Sequence, residues 1–121
     1  MSKDPQVYLI HILESVKAIE KYMHGRTLKE FMADQYFQDA VVRRLEIIGE
    51  AVAQMPKEFK ETHPSVQWHK ITATRNKLIH EYFGLEYSLT WEVMTKDLPE
   101  LKLQIADIVD KEFPNWKKEL F

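Results

Sequence analysis

Apolar residues return every three or four positions along this chain, and very little interrupts them. Leu9, Leu13, Val16, Ile19 and Met23 make one such stripe. Phe37, Val41, Leu45, Ile48, Val52 and Met55 make a second, and Trp91, Met94, Leu98, Leu101, Ile105, Ile108 and Val109 a third. That period matches one face of an α-helix, not the alternation of a strand. The punctuation hairpins need is scarce: 121 residues include 3 Gly and 5 Pro, with no Asn-Gly or Asp-Gly pair. The spacing therefore predicts an all-α domain over residues 1–121, an antiparallel bundle of four to five helices, with 113–121 as a fraying tail.

Local signals set the boundaries. Asp4-Pro5 supplies an N-cap and a first-turn proline for the first helix, and Gly25 a stop. Thr27-Leu28-Lys29-Glu30 has the capping-box pattern, which predicts a short helix with Leu28, Phe31 and Met32 turned inward. A longer helix is expected from Gln35 to Gln54, ended by Pro56. Gly49 lies inside it, which suggests close approach of another helix. Residues 56–67 read as irregular, tacked to the core by Phe59 and Val66. The next helix is expected from Trp68 to Tyr82, with Trp68, Ile71, Leu78 and Ile79 buried and Gly84 closing it. Ser88 or Thr90 should cap the last helix. Pro99 should kink or restart that helix, with Asp97 as a fresh cap.

Cysteine is absent, so disulfides, thiolate metal sites and thiol nucleophiles are excluded. The net charge of -2 excludes a generally basic nucleic-acid binder, but not a local basic site. Neither a signal-peptide core nor an apolar run of membrane-spanning length is visible. A cytoplasmic protein without a membrane partner is the expectation.

The chemistry gathers in Arg75-Asn76-Lys77-Leu78-Ile79-His80-Glu81-Tyr82-Phe83-Gly84. Arginine is a permanent cation whose planar fork suits phosphate, and histidine titrates near neutral pH. On an ideal helix Arg75 and Tyr82 lie about 20° apart, on one face, whereas Arg75 and His80 are about 140° apart. Two arrangements could bring them to one ligand. The helix could loosen near Gly84, or two copies of the chain could face each other across a twofold axis; symmetric dimers are the commonest oligomers. Paired His and Arg without an acidic cluster for Mg²⁺ suit metal-independent RNA cleavage, with imidazole moving protons and Arg holding the charge on phosphorus. Asn76 could hold the phosphate or orient His80. A structural explanation competes: an exposed arginine, and a histidine favoured at a helix C-terminus.

Other polar residues are less specific. Lys70 and Lys77, with His69, make the motif helix locally basic, as an RNA track or a solvated face. Arg43 and Arg44 are expected to pair with Glu46 and Glu50, and either glutamate could also buttress Arg75. His11, His24 and His63 have no ligand spacing, so neither a metal nor another cofactor is expected.

Arg75-x-x-x-x-His80-x-Tyr82 resembles the R-x-x-x-x-H-x-Y signature of HepT-type toxins in the HEPN superfamily. Leu45-Glu46-Ile47-Ile48-Gly49-Glu50-Ala51 looks like that family's second-helix segment. His63-Pro64 before Trp68 and Ile71, and Trp91 with Asp97-Leu98-Pro99-Glu100-Leu101, extend the resemblance over roughly residues 5 to 110. It implies an all-helical homodimer with the motif at an interface cleft, and an endoribonuclease with Arg75 and His80 catalytic. It also implies an MNT-type nucleotidyltransferase antitoxin that transfers AMP from ATP onto Tyr82, making the chain a phosphoprotein. The alternative is a non-catalytic nucleotide- or substrate-binding subunit of a nucleotidyltransferase complex.

Overall fold

The computed structural model describes residues 4–80 and 87–115, the side chains of 78–80 excepted. Among the described residues every regular element is helical: α1 Pro5–Met23, α2 Leu28–Ala33, α3 Gln35–Gln54, α4 Lys57–Thr62, α5 Trp68–His80, α6 Tyr87–Glu92, a π-helical turn Val93–Asp97, and α7 Leu98–Glu112. The fold is all-α, as the periodicity requires. Among these residues no helix is long and apolar enough to cross a membrane.

α3 is the central element, with α1 and α5 both packed along it and α7 reaching α1. The bounds of α3 and the start of α1 agree with the sequence signals. Asp4 Oδ1 accepts from the Gln6 amide at 2.9 Å, and Pro5 occupies the first turn. Gly25 adopts φ +71°, a left-handed conformation that glycine takes at no steric cost and that stops α1. The α2 capping box is complete: the Glu30 amide donates to Thr27 Oγ1 at 3.2 Å, and the Thr27 amide to Glu30 Oε1 at 3.0 Å. Asp34 caps α3 through the Phe37 amide and pairs with Arg26 at 2.8 Å. Those contacts stabilise its carboxylate and hold its pKa below the ordinary 3.8, the Arg26 hydrogen bond contributing most.

The predicted stripes form one core. Leu9, Ile12, Leu13, Val16 and Ile19 of α1 meet Phe37, Val41, Leu45, Ile48, Val52 and Met55, together with Leu98, Leu101, Ile105, Ile108 and Val109. Phe31 is fully buried in an aromatic cluster with Phe37, Tyr87 and Trp91. Phe113 packs on the same core beyond the end of α7.

Four expectations are corrected. Leu28 and Met32 are exposed, at 36% and 54%. A helix as short as α2 turns one position to the core, and Phe31 takes it; Met32, about 100° further round, faces away. Residues 57–62 are helical rather than irregular. Pro56 precedes this turn, Lys57 and Glu61 pair across it, and Lys60 Nζ donates to the Val52 carbonyl at 3.2 Å. Val66 is buried and Phe59 packs on the core, as expected of both. Ser88 and Thr90 do not cap a helix, because α6 is already formed at Tyr87 and Thr90 is buried inside it. Asp97 is not a cap either: its backbone is helical, its side chain makes no cap bond, and it faces Lys70 at 3.5 Å. Pro99 is accommodated by the π-helical turn before it, in which the Leu98 amide reaches back to the Val93 carbonyl.

Candidate active site

α5 is anchored at its start and presents its polar residues further along. Trp68 is buried, and its indole Nε1 donates to the His63 carbonyl at 3.0 Å. His63 stacks on Phe59 with ring centroids 4.2 Å apart, and its imidazole also meets Glu112 of α7. Thr72 and Thr74 turn their hydroxyls back to the carbonyls of Trp68 and Lys70, at 3.2 and 2.9 Å. These bonds satisfy two polar side chains within the helix and leave Arg75 as the long side chain directed at α3.

Arg75 crosses α3 at Gly49. A Cβ built on Gly49 would lie inside 3.0 Å of both Cβ and Cγ of Arg75, and 3.3 Å from its Cδ. The close helix approach suggested by a mid-helix glycine is therefore real, and the group that approaches is the stem of the motif arginine. Beyond it, Nη1 donates to Asn76 Oδ1 at 2.9 Å, and Nη2 lies 3.6 Å from Glu50 Oε1. Nε is buried with no hydrogen-bond partner. The Arg75 side chain is 27% exposed and Glu50 60%, so the guanidinium sits where a glutamate, an amide and solvent meet. Of the two glutamates weighed, Glu50 buttresses Arg75, while Glu46 pairs with Arg43 at 3.6 Å. Asn76 engages Arg75 directly.

Arg75 also lines a cleft between α3, α5, the π-helical turn and α7. Leu45, Ile48, Ile71 and Leu98 form apolar wall, while Lys70, Thr74 and Asp97 supply polar groups. The cleft encloses about 50 Å³, room for a few waters. Lys70 stands at its edge, paired with Asp97, and Lys77 is exposed one turn further along α5. Arg75, Asn76, Lys70 and Lys77 are thus carried by one helix, but only Arg75 and Asn76 are joined. Among the described residues no three His, Asp or Glu side chains gather as metal ligands.

His80 is the last described residue of α5, and its side chain lies outside the description. Tyr82 and Gly84 lie outside the described residues. The contribution of Gly49 to the site could be suspected in the sequence only as a glycine inside a helix. Its partner is 26 positions away (75 minus 49) and becomes visible only when α3 and α5 cross.

A family model described as Ribonuclease HepT-like matches residues 12–108. A protein of Caldanaerobacter subterraneus subsp. tengcongensis, provisionally named an RNase, is 46% identical over 110 residues, which is 91% of this chain and 98% of the relative. A Methanocaldococcus jannaschii protein, whose name joins gamma-glutamylcyclotransferase to a provisional RNase, is 45% identical over 111 residues. That alignment takes in 92% of this chain and 50% of the relative, so the chain spans about half the length of that protein. A Thermococcus cleftensis protein provisionally named ribonuclease HepT is 38% identical over 102 residues, 84% of this chain and 93% of its own. No solved structure matches the chain. The family match takes in all of α3 and α5, and with them the Gly49–Arg75 crossing: the chain belongs to the ribonuclease HepT-like family.

Proposed function

We propose that the protein is a metal-independent endoribonuclease whose chemistry is carried by Arg75 and His80. The observation that supports this most is the placement of Arg75. In a chain matched to the ribonuclease HepT-like family over residues 12–108, its guanidinium stands at a cleft, braced by Asn76 and Glu50. In the proposed reaction an RNA 2′-oxygen attacks the adjacent phosphorus, forming the 2′-O–P bond and breaking the P–O5′ bond. One imidazole takes the 2′-hydroxyl proton, and a second acid returns a proton to the leaving 5′-oxygen. Arg75 stabilises the charge that grows on the phosphoryl oxygens. The products are a 2′,3′-cyclic phosphate and a free 5′-hydroxyl. Because Arg75 and His80 are about 140° apart on an ideal helix, the reading includes a homodimer in which each cleft takes groups from both chains.

The protein acts as the toxin of a toxin–antitoxin pair in the cytoplasm, and an MNT-type nucleotidyltransferase silences it by AMPylation of Tyr82. In that transfer the phenolic oxygen bonds to the α-phosphorus of ATP, pyrophosphate leaves, and the phenolic proton passes to solvent. The added phosphate competes with RNA for Arg75. Lys70 and Lys77 extend the basic track along α5 for the RNA backbone.

Incubating the unmodified protein with RNA in EDTA tests the core of this reading. The expected result is cleavage with 2′,3′-cyclic phosphate ends, lost in His80→Ala. Full activity in that variant would remove His80 from the mechanism. ATP binding without any RNA cleavage would favour a nucleotide-binding subunit instead. An intact mass raised by whole AMP units on co-expression with the nucleotidyltransferase, and not raised in Tyr82→Phe, tests the modification.

A further inference from the structure

We infer that Gly49 is a positioning residue for the reaction: by carrying no side chain, it sets where the Arg75 guanidinium stands. The inference rests on Arg75 being catalytic, as proposed above, and adds a residue to which no chemistry has been given.

Gly49 is buried in the middle of a twenty-residue helix, where alanine would be the better helix former. Its φ is not in the left-handed region, so backbone conformation does not explain the glycine. Space does: a Cβ there would collide with the first two carbons of the Arg75 side chain. The Arg75 Cβ is fixed to the α5 backbone, and Cγ moves only by rotation about the first side-chain bond, which leaves the Cβ collision in place. An alanine at 49 must therefore push α5 away from α3 and carry the arginine with it.

The head of the same side chain shows what such a shift would undo. Nη2 lies 3.6 Å from Glu50 across on α3, a contact that moving α5 would open, while Nη1 donates to Asn76 of its own helix at 2.9 Å and Nε is buried with no hydrogen-bond partner. Glu50 follows Gly49 directly, so α3 presents a gap for the stem and a carboxylate for the head in two consecutive residues. An arginine whose stem is packed against α3 loses few conformations when its head meets a phosphate. A group that stabilises transition-state charge is sensitive to its position, and about 1 Å of displacement is enough for a roughly 100-fold loss of rate. A glycine serving packing alone would predict lower stability of Gly49→Ala but unchanged turnover in the folded fraction.

Two measurements on the full chain test this. The first is a melting cycle of wild type, Gly49→Ala, Arg75→Gly and the double variant. Arg75 is only half-buried, so Arg75→Gly removes the stem without stranding a charge in the core. Gly49→Ala is expected to lower the melting temperature when Arg75 is present and to raise it when residue 75 is glycine, where helix propensity alone remains. The same sign in both backgrounds overturns the inference. If Gly49→Ala alone does not fold, recovery of folding in the double variant supports it, and failure to recover overturns it. The second measurement is steady-state cleavage of a mixed-sequence oligoribonucleotide in EDTA, below the melting range. Gly49→Ala is expected to lower kcat about 100-fold with KM little changed. Wild-type kcat in the folded variant overturns positioning. Wild-type cleavage by Arg75→Ala would instead remove Arg75 from catalysis, and the melting cycle would still report whether the glycine seats it.

Discussion

To the core it shares with α3, α1 contributes Leu9, Ile12, Leu13, Val16 and Ile19, none more than 1% exposed. α5, along the same α3, sets the stem of Arg75 against a glycine and leaves Ile71, Thr72 and Thr74 half-buried. Both interfaces are close, for opposite reasons. The first is close because branched apolar side chains interlock and exclude water. The second is close because position 49 carries no side chain, which leaves room for the carbon stem of Arg75. The pairing makes α3 a dividing wall, with fully buried apolar side chains on its α1 side and, on its α5 side, the arginine to which the proposed chemistry is assigned.

If that division holds, substitutions on the two sides should fail in different assays. The largest effect is expected from Leu13→Ala, which leaves a cavity in the α1 core and should cost about 2–5 kcal/mol in denaturant unfolding. A loss well under 1 kcal/mol would mean α1 is not the stability-bearing side. Arg75→Ala comes next. It should slow RNA cleavage roughly 100- to 1000-fold, while the partly exposed Glu50 pair it removes is worth no more than about 1 kcal/mol of stability. Unfolding as severe as that of Leu13→Ala would erase the distinction. Thr27→Ala removes half of the α2 capping box and should cost about 1 kcal/mol, with cleavage unchanged once stability is allowed for.

The smallest effect is expected at Asp34. Asparagine caps a helix as well as aspartate, so Asp34→Asn isolates the charge interaction with Arg26. The folded pKa of Asp34 is lowered, so its stabilising contribution is fully present above the ordinary 3.8 and disappears as pH falls through the lower folded value. Melting at neutral pH should therefore show a small deficit in Asp34→Asn that vanishes in strong acid. A deficit that persisted there would point to the cap geometry rather than the charge.

Where the sequence predicted well, it did so through local causes. The Asp4-Pro5 start, the Thr27–Glu30 box and the 35–54 helix each depend on residues within a turn or on one unbroken stripe. It predicted poorly where the outcome depended on what else was nearby. Leu28 and Met32 looked inward because they are apolar, but a short helix has one inward place and Phe31 fills it. Asp97 looked like a cap, but its position beside α5 lets it face Lys70 instead. At the site, the sequence supplied the arginine and suggested a glutamate brace. That the glycine of α3 and the arginine of α5 share one space is a long-range fact, invisible to any local pattern.

The π-helical turn at Val93–Asp97 has a consequence for how this half of the chain can vary in length. A wide turn holds more residues than an α turn over the same axial distance. It therefore works as a phase adjuster between α6, which must bury Thr90, and α7, which must bury Leu98, Leu101, Ile105 and Ile108. Loss of a single residue inside the turn would let it close to an ordinary α turn with the stripe of α7 still facing the core, whereas loss of one just beyond it, where no spare residue is held, would rotate that stripe by about 100° about the helix axis. The stripe would then face water, and the wall that α7 lends to the cleft beside Arg75 would turn away with it.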